Sequence, residues 1–266
     1  MKYTVKPKKY LGQHFLNDES IAETIVETFI NHNPCRNILE VGPGMGVLTK
    51  YLLAKEDYNF KVIEIDAEAI NYINDHFPAL KGKIIYGDIL KFNPAEHFDD
   101  KFSIIGNFPY NISSQILFMI LENKERIPFT VGMFQKEVGD RIAAPPGSKT
   151  YGILSVLMQA YYDVRMEMIV EKESFNPPPQ VRSVILSFTR KVDSKLKCDE
   201  LFFFKIVKIA FNQRRKTLRN AIKSIINTTS DAIPYLDLRA ERLSWQMFEE
   251  LTSAIELHNR TLESKT

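Results

Sequence analysis

Residues 37–46 read Asn37-Ile-Leu-Glu40-Val-Gly42-Pro-Gly44-Met-Gly46. A short apolar run ends beside an acid, and three glycines follow at alternate positions. Behind them Val47, Leu48, Tyr51 and Leu52 have helical spacing. Strand, glycine turn and helix together open a βαβ unit. Glycine lets backbone approach a ligand closely and take positive φ, and the helix start behind the turn offers free N–H groups and a positive dipole end. The spacing is not the dinucleotide fingerprint GxGxxG, whose third glycine would fall at Val47. Taken alone, such a turn is weak evidence for a ligand.

Working outward, apolar runs recur at 60–65, 83–86, 102–106 and 129–134, separated by helical spacing in Ile70, Ile73, Asn74, Phe77 and in Ile116, Met119, Ile120. This alternation predicts an α/β fold with a mostly parallel sheet. After Ala144 the pattern changes. AAPPGSKT (143–150) reads as an exposed loop and 153–162 as a helix. Residues 163–170 and 182–188 read as two strands with a Pro-rich connection, which adds an antiparallel edge to the sheet. From about Ser194 the strand signal ends, and 202–226 and 245–257 read as helices. The division expected is 1–193 for the α/β domain and 194–266 for a small helical domain.

The chain has 266 residues, 44% hydrophobic and 26% charged, which excludes a disordered or collagen-like protein. Its longest apolar run, 116–121, is far short of the roughly 20 residues that span a bilayer. No apolar segment follows the basic start, so no secretory signal is expected. Two cysteines, Cys35 and Cys198, without a CxxC, fit a reducing cytoplasm, and the five histidines show no metal-ligand spacing, so no metal site is expected. The net charge of +2 is distributed unevenly. Residues 1–17 carry Lys2, Lys6, Lys8 and Lys9 and no acid, and residues 201–224 carry seven Lys or Arg and no acid. Two such patches suggest an anionic partner, although a solvated basic surface reads the same way.

Three further strand ends carry polar groups. Glu64 closes the strand of VIEID (62–66), 22 positions after Gly42, where an acid can accept both hydroxyls of a ribose. Asp88, in Gly87-Asp88-Ile89, could accept from an exocyclic adenine amine. Asn107-Phe-Pro-Tyr110 follows the fourth strand. An Asn carbonyl and a neighbouring backbone carbonyl can both accept from one planar amine, Pro109 presets φ, and Tyr110 supplies a ring for a base. Each element has a bland reading, as a turn, a strand-end acid or aromatic packing. In this order, at the carboxyl ends of successive strands, they suit S-adenosylmethionine and an amine substrate.

EVGPGMG, VIEID, GDIL and NFPYNIS, in this order and spacing, resemble the rRNA adenine N6,N6-dimethyltransferases. LGQHFLN (11–17), SFNPPP (174–179) and AFNQRRKT (210–217) resemble that family's extra cofactor motif, target-base segment and C-terminal segment. The match runs from about residue 9 to 223, and the basic C-terminal motif resembles the KsgA/RsmA branch, which acts on 16S rRNA. The resemblance implies a Rossmann-like class I methyltransferase domain with a seven-stranded sheet and a helical C-terminal domain. It also implies a monomeric cytoplasmic enzyme that uses S-adenosylmethionine to dimethylate N6 of two adjacent adenosines in a hairpin loop near the 3′ end of 16S rRNA in the small ribosomal subunit, during ribosome biogenesis.

Residue by residue, the resemblance puts the cofactor at His14, Leu16, Gly42, Gly44, Glu64, Asp88 and Asn107. Asn107, Pro109 and Tyr110 would hold the reacting amine, with Tyr110 and Phe175 as stacking candidates for a flipped base. His14 stands where many members have Asn, and Phe108 where many have Leu. Arg214, Arg215, Lys216 and Arg219 would meet the RNA. If 203–226 were one helix, Lys205, Lys208, Arg215, Lys216, Arg219 and Lys223 would share an arc of about 100°, although a break near Asn212 would spoil that stripe. A 23S rRNA dimethyltransferase of the macrolide-resistance type, an assembly factor and a small-molecule methyltransferase remain alternatives.

Overall fold

A computed structural model describes residues 5–55, 57–192, 195–226 and 233–263. Lys2 and the expected boundary at 193/194 lie outside the described residues.

The chain forms two compact units. The first, residues 1–139 with 163–190, is built on a seven-stranded sheet. A two-residue strand, β1 (Phe15–Leu16), precedes α1 (Glu19–His32), β2 (Asn37–Val41), α2 (Thr49–Leu53), β3 (Asn59–Glu64), α3 (Ala67–His76), β4 (Ile84–Tyr86), β5 (Phe102–Asn107), α4 (Ser113–Glu122) and β6 (Phe129–Gln135). Helices α5 (Lys136–Ile142) and α6 (Ile153–Tyr161) follow, then β7 (Tyr162–Val170), a second short strand β8 (Phe175–Asn176) and β9 (Ser183–Arg190). The sheet order is β4-β3-β2-β5-β6-β9-β7. Strands β2 to β6 pair in parallel, for example Glu40 opposite Val62 and Ile104 opposite Thr130, whereas β9 runs antiparallel to β6 with Leu186 opposite Gly132. Thus the sheet is mostly parallel with an antiparallel end.

From β2 the chain winds outward through β3 and β4, then returns to start β5 on the other side of β2. That reversal opens a crevice at the carboxyl ends of β2 and β5, where open α/β sheets take their ligands. Strand β2 is buried along 38–41, and Ile38, Val62, Ile105 and Val131 belong to one core with Ala22, Ile25, Val26 and Phe29 of α1. Helix α1 was not among the expected helices. Its signals are local: Asp18 caps it by accepting from Ser20 N at 3.0 Å and Ile21 N at 3.3 Å, and its buried residues recur every three or four positions.

The second unit comprises residues 140–162 and 191–266. Residues 140–162, assigned to the first domain from the sequence, therefore fall in the second unit. Helix α6 packs with α7 (Glu200–Asn212) and α9 (Trp245–Glu263). The helix expected over 202–226 is broken. Helix α7 ends at Asn212, and after a turn Thr217 opens the short α8 (Leu218–Ala221). The single basic stripe does not exist as drawn, because the two segments have separate axes.

Candidate active site

The carboxyl-end crevice is lined by Gly42, Gly44, Glu64, Asp88, Asn107, Pro109 and Tyr110, with residues 11–15 across it. The glycine turn leaves β2 with Gly42 at φ +67° and Gly44 at φ +56°. A Cβ on Gly44 would lie 2.9 Å from the Phe15 ring, whereas one on Gly42 would point into open space. Gly44 lets the chain pass under β1, and Gly42 leaves a cradle.

Glu64, the last residue of β3, is only 6% exposed. Its Oε1 accepts from the backbone N–H groups of Ile65 at 2.8 Å and Asp66 at 2.9 Å, and Oε2 accepts weakly from Gly44 N at 3.4 Å. Burial raises its pKa against the pull of these three donors. Oε2, with one long bond, is the oxygen left to receive hydroxyl donors. Asp88, which lines the crevice, caps the turn at 89–91 by accepting from Leu90 N at Oδ1, 3.0 Å, and keeps Oδ2 as a further acceptor. Glu40 sits behind the turn, 1% exposed, accepting from Thr49 Oγ1 at 2.7 Å. Burial, with the nearby Glu64 carboxylate adding to it, pushes its pKa up to about 8.

Asn107 ends β5. Its Nδ2 donates to the carbonyl of His14 at 2.9 Å, so Oδ1 is the atom left to accept a hydrogen bond. The carbonyl of Pro109 accepts from Ile112 N at 3.2 Å and keeps a second lone pair. Tyr110 is tied by its hydroxyl to Ser183 Oγ, and its ring stacks on His14, centroids 5.2 Å apart at 26°. Phe108 is 1% exposed and packs edge-on against Phe134, so its side chain is core and only its backbone belongs to the turn.

The segment before β1 closes the site, and several of its bonds were not anticipated. Lys8 pairs with Asp66 and Gln13 Nε2 donates to Asp66 Oδ2 at 3.1 Å, Asp66 being the N-cap of α3. Asn111 Nδ2 donates to Tyr10 O at 3.2 Å, with Gly12 at φ +65° packed against the Asn111 side chain. His14 donates from Nδ1 to Pro177 O at 2.8 Å, since that carbonyl can only accept. Gln13, Asp66, Asn111 and Ser183 were therefore missed as site-building residues. The VIEID and NFPYN motifs contained two of them without revealing their partners.

Two stacking candidates separate here. Tyr110 lines the crevice, but Phe175 is 2% exposed, sits opposite Leu16 in the β1–β8 pair and belongs to the hydrophobic core. Its ring is not offered to a base. Leu16 is likewise core, 4% exposed, and borders a small recess shared by Gly42, Gly44 and Asn107.

In the second unit the cations also divide. Arg215 and Lys216 are exposed. Arg219 is paired with Asp237, Nε to Oδ1 at 3.0 Å, and Arg214 donates to two backbone carbonyls. No His/Cys/Asp/Glu cluster able to hold a metal exists among the described residues, and no described helix is long and apolar enough to cross a membrane.

Residues 4–253 match the family described as ribosomal RNA adenine dimethylase. The chain is 53% identical over 252 residues to the ribosomal RNA small subunit methyltransferase A of Cytophaga hutchinsonii, covering 94% of this chain and 98% of that one. It is equally identical over 256 residues to the protein of the same name from Flavobacterium johnsoniae, 53% over 95% and 97% of the two chains. Among solved structures, a dimethyladenosine transferase from Plasmodium falciparum superposes with a TM-score of 0.78 at 24% identity, over 92% of this chain and 98% of that one. The 23S rRNA methyltransferase ErmE does so with 0.65 at 21%, over 90% and 99%. At these identities the two structures establish the Rossmann-like methyltransferase fold alone.

Proposed function

The chain belongs to the ribosomal RNA adenine dimethylase family and is a methyltransferase, and from that premise we propose that it dimethylates N6 of two adjacent adenosines in a hairpin loop near the 3′ end of 16S rRNA, with S-adenosylmethionine as methyl donor. It does so as a monomer on rRNA within the small ribosomal subunit, in the cytoplasm, as a step of ribosome biogenesis. The relatives that share half its sequence carry small-subunit names, which favours 16S over 23S rRNA.

The residues present fit the cofactor. Gly42 leaves a cradle without a Cβ, Glu64 Oε2 has acceptor capacity for ribose hydroxyls, and Asp88 Oδ2 has it for an adenine amine. When bound, S-adenosylmethionine supplies a methyl group already activated by its sulfonium.

The observation that carries the reading is the pairing of Asn107 Nδ2 with His14 O. An adenine amine is a poor nucleophile because its lone pair is conjugated with the ring. With Nδ2 committed, Oδ1 is held as an acceptor, and the Pro109 carbonyl provides a second. Two acceptors on one amine favour its pyramidal form and stabilise the positive charge that develops on nitrogen. Positioning supplies most of the remaining acceleration. The surplus proton leaves after transfer, so no side chain has to remove it first. The target base must leave its stack. His14 occupies one face of Tyr110, so the base takes the other.

Primer extension across 16S rRNA from a strain lacking this gene, with and without its restoration, tests the proposal. Stops at two adjacent adenosines near the 3′ end that depend on the gene are expected. Stops in 23S rRNA instead, or none, would overturn it.

A further inference from the structure

Phe108 stands between the two acceptors of the amine turn, Asn107 Oδ1 and the Pro109 carbonyl. Its own ring turns into the core and is 1% exposed. The sheet stops holding the backbone here. The β5–β6 ladder ends with Asn107 opposite Met133, and Pro109 has no N–H to donate. Beyond that point the turn is tied again by Ile112 N, which donates to Pro109 O at 3.2 Å, and by Ser113 Oγ, which donates to Tyr110 O at 3.2 Å.

Between ladder and ties lies one ring in a slot. Gly106 and Gly132 are opposite each other in β5 and β6. A Cβ on Gly106 would lie 2.9 and 3.0 Å from Cε1 and Cδ1 of Phe108, and one on Gly132 would lie 2.3 and 2.8 Å from Cε2 and Cδ2. The ring therefore straddles the pair, one edge over each glycine. Phe134 packs against it edge-on, centroids 5.3 Å apart at 78°. Neither glycine has positive φ, so backbone conformation does not require them. Glycine inside a strand weakens it and marks a close approach. At Gly106 the ring and the Val41 carbonyl both approach, and at Gly132 the nearest atoms are those of the ring. Two adjacent strands thus lack side chains at one level, and Phe108 fills the space.

We infer that Phe108 is a positioning residue for methyl transfer: its ring, seated on the Gly106–Gly132 pair, fixes the direction in which Asn107 Oδ1 and the Pro109 carbonyl meet the amine. The inference rests on the reading of Asn107 and Pro109 as amine acceptors. A ring in a close-packed slot has one seat, so the backbone on either side of it is aimed before the amine arrives. A misplacement of about 1 Å can slow a reaction about a hundredfold.

The test is single-turnover methylation of small ribosomal subunits from a strain lacking this gene, at a temperature where the variants are folded, with S-adenosylmethionine and subunit affinities measured alongside. Phe108→Leu keeps an apolar side chain but loses the outer atoms of the ring. It should methylate at least about tenfold more slowly, with both affinities within about twofold of wild type. Phe29→Leu makes the same change at a ring buried on α1. It should lower the melting temperature and leave the rate alone. Gly132→Ala should slow the wild-type chain sharply, because its methyl would enter the place of the ring. On the Phe108→Leu background the same change should slow it little or restore the rate, because that place is vacated. A wild-type rate in Phe108→Leu, an equal loss in Phe29→Leu, or losses that multiply in the double variant would each overturn the inference. If Gly132→Ala alone fails to fold by its melting curve, Phe108→Leu and Phe29→Leu still decide. A wild-type rate in Asn107→Ala would refute the amine turn itself, and the inference with it. A slow Asn107→Ala beside a fast Phe108→Leu would overturn the inference alone.

Discussion

The side-chain amide of Asn107 donates to the main-chain carbonyl of His14, 93 residues away, at 2.9 Å. One hydrogen bond sets which atom of Asn107 is left as an acceptor in the crevice. Amide nitrogen and oxygen are nearly the same size, so only a committed partner distinguishes them.

Asn107→Ala should leave cofactor affinity little changed and lower single-turnover methylation by at least about a hundredfold, the scale for losing one preorganised polar contact. Asn107→Asp should be as impaired, because it places a carboxylate oxygen against the His14 carbonyl. Wild-type turnover in Asn107→Asp would mean that the bond to His14 does not set the geometry.

For Glu64 the informative change is to Gln. Alanine would strip the acceptor from the N–H groups of Ile65, Asp66 and Gly44 together, and so confuse folding with binding. Glu64→Gln keeps one oxygen for the 2.8–2.9 Å pair and turns the other into a donor. Calorimetry should show S-adenosylmethionine binding weaker by about 1.5–3 kcal/mol, roughly ten- to hundredfold. Unchanged affinity would remove Glu64 from the ribose site.

Glu40 makes stability depend on pH. Its pKa rises from an ordinary 4.5 to about 8 in the fold because the carboxyl is wholly buried. Between those values the unfolded chain has released this proton and the folded chain still holds it. Stability therefore falls as pH rises through that window, by up to about 1.4 kcal/mol per pH unit. Glu40→Gln removes the titration, so its melting temperature relative to wild type should climb from pH 5 to pH 8. Parallel melting curves would show that Glu40 is already ionised.

The basic residues should sort by their partners. Replacing Arg215 and Lys216 with Gln should flatten the salt dependence of rRNA binding by roughly 0.7–0.9 per contact. Lys8→Gln should leave that slope alone and lower the melting temperature, because Lys8 is paired with Asp66, whose side chain is fully buried. A lost slope in Lys8→Gln would place the N-terminal segment on the RNA.

Much of this was legible along the chain. The five parallel strands fall within about a residue of where the apolar runs predict them, because a buried strand needs a continuous apolar run and a turn to end it. Glu64, Asp88 and Asn107 could be identified because each closes or follows such a run, and in a parallel sheet all those ends lie on one side. Helix α1 was overlooked although Asp18 and the spacing of Ala22, Ile25, Val26 and Phe29 announce it. The break after Asn212 could only be suspected, since no Pro or Gly marks it.

By itself, then, the sequence determined the alternation of strands and helices and the order of polar groups at the strand ends, because strand periodicity and turn chemistry are local properties, whereas the strand order within the sheet came only from the tertiary structure. Only the tertiary structure decided which of those groups were already engaged. Lys8 is held by Asp66, Arg219 by Asp237, Arg214 by the carbonyls of Ser148 and Lys149, and Asn107 by His14. It also buried Phe175 opposite Leu16, where the chain alone suggested an exposed ring. A charge or an amide reads the same along a chain whether free or paired. Its partner comes from a segment tens of residues away, brought within about 3 Å only when the core between them has closed.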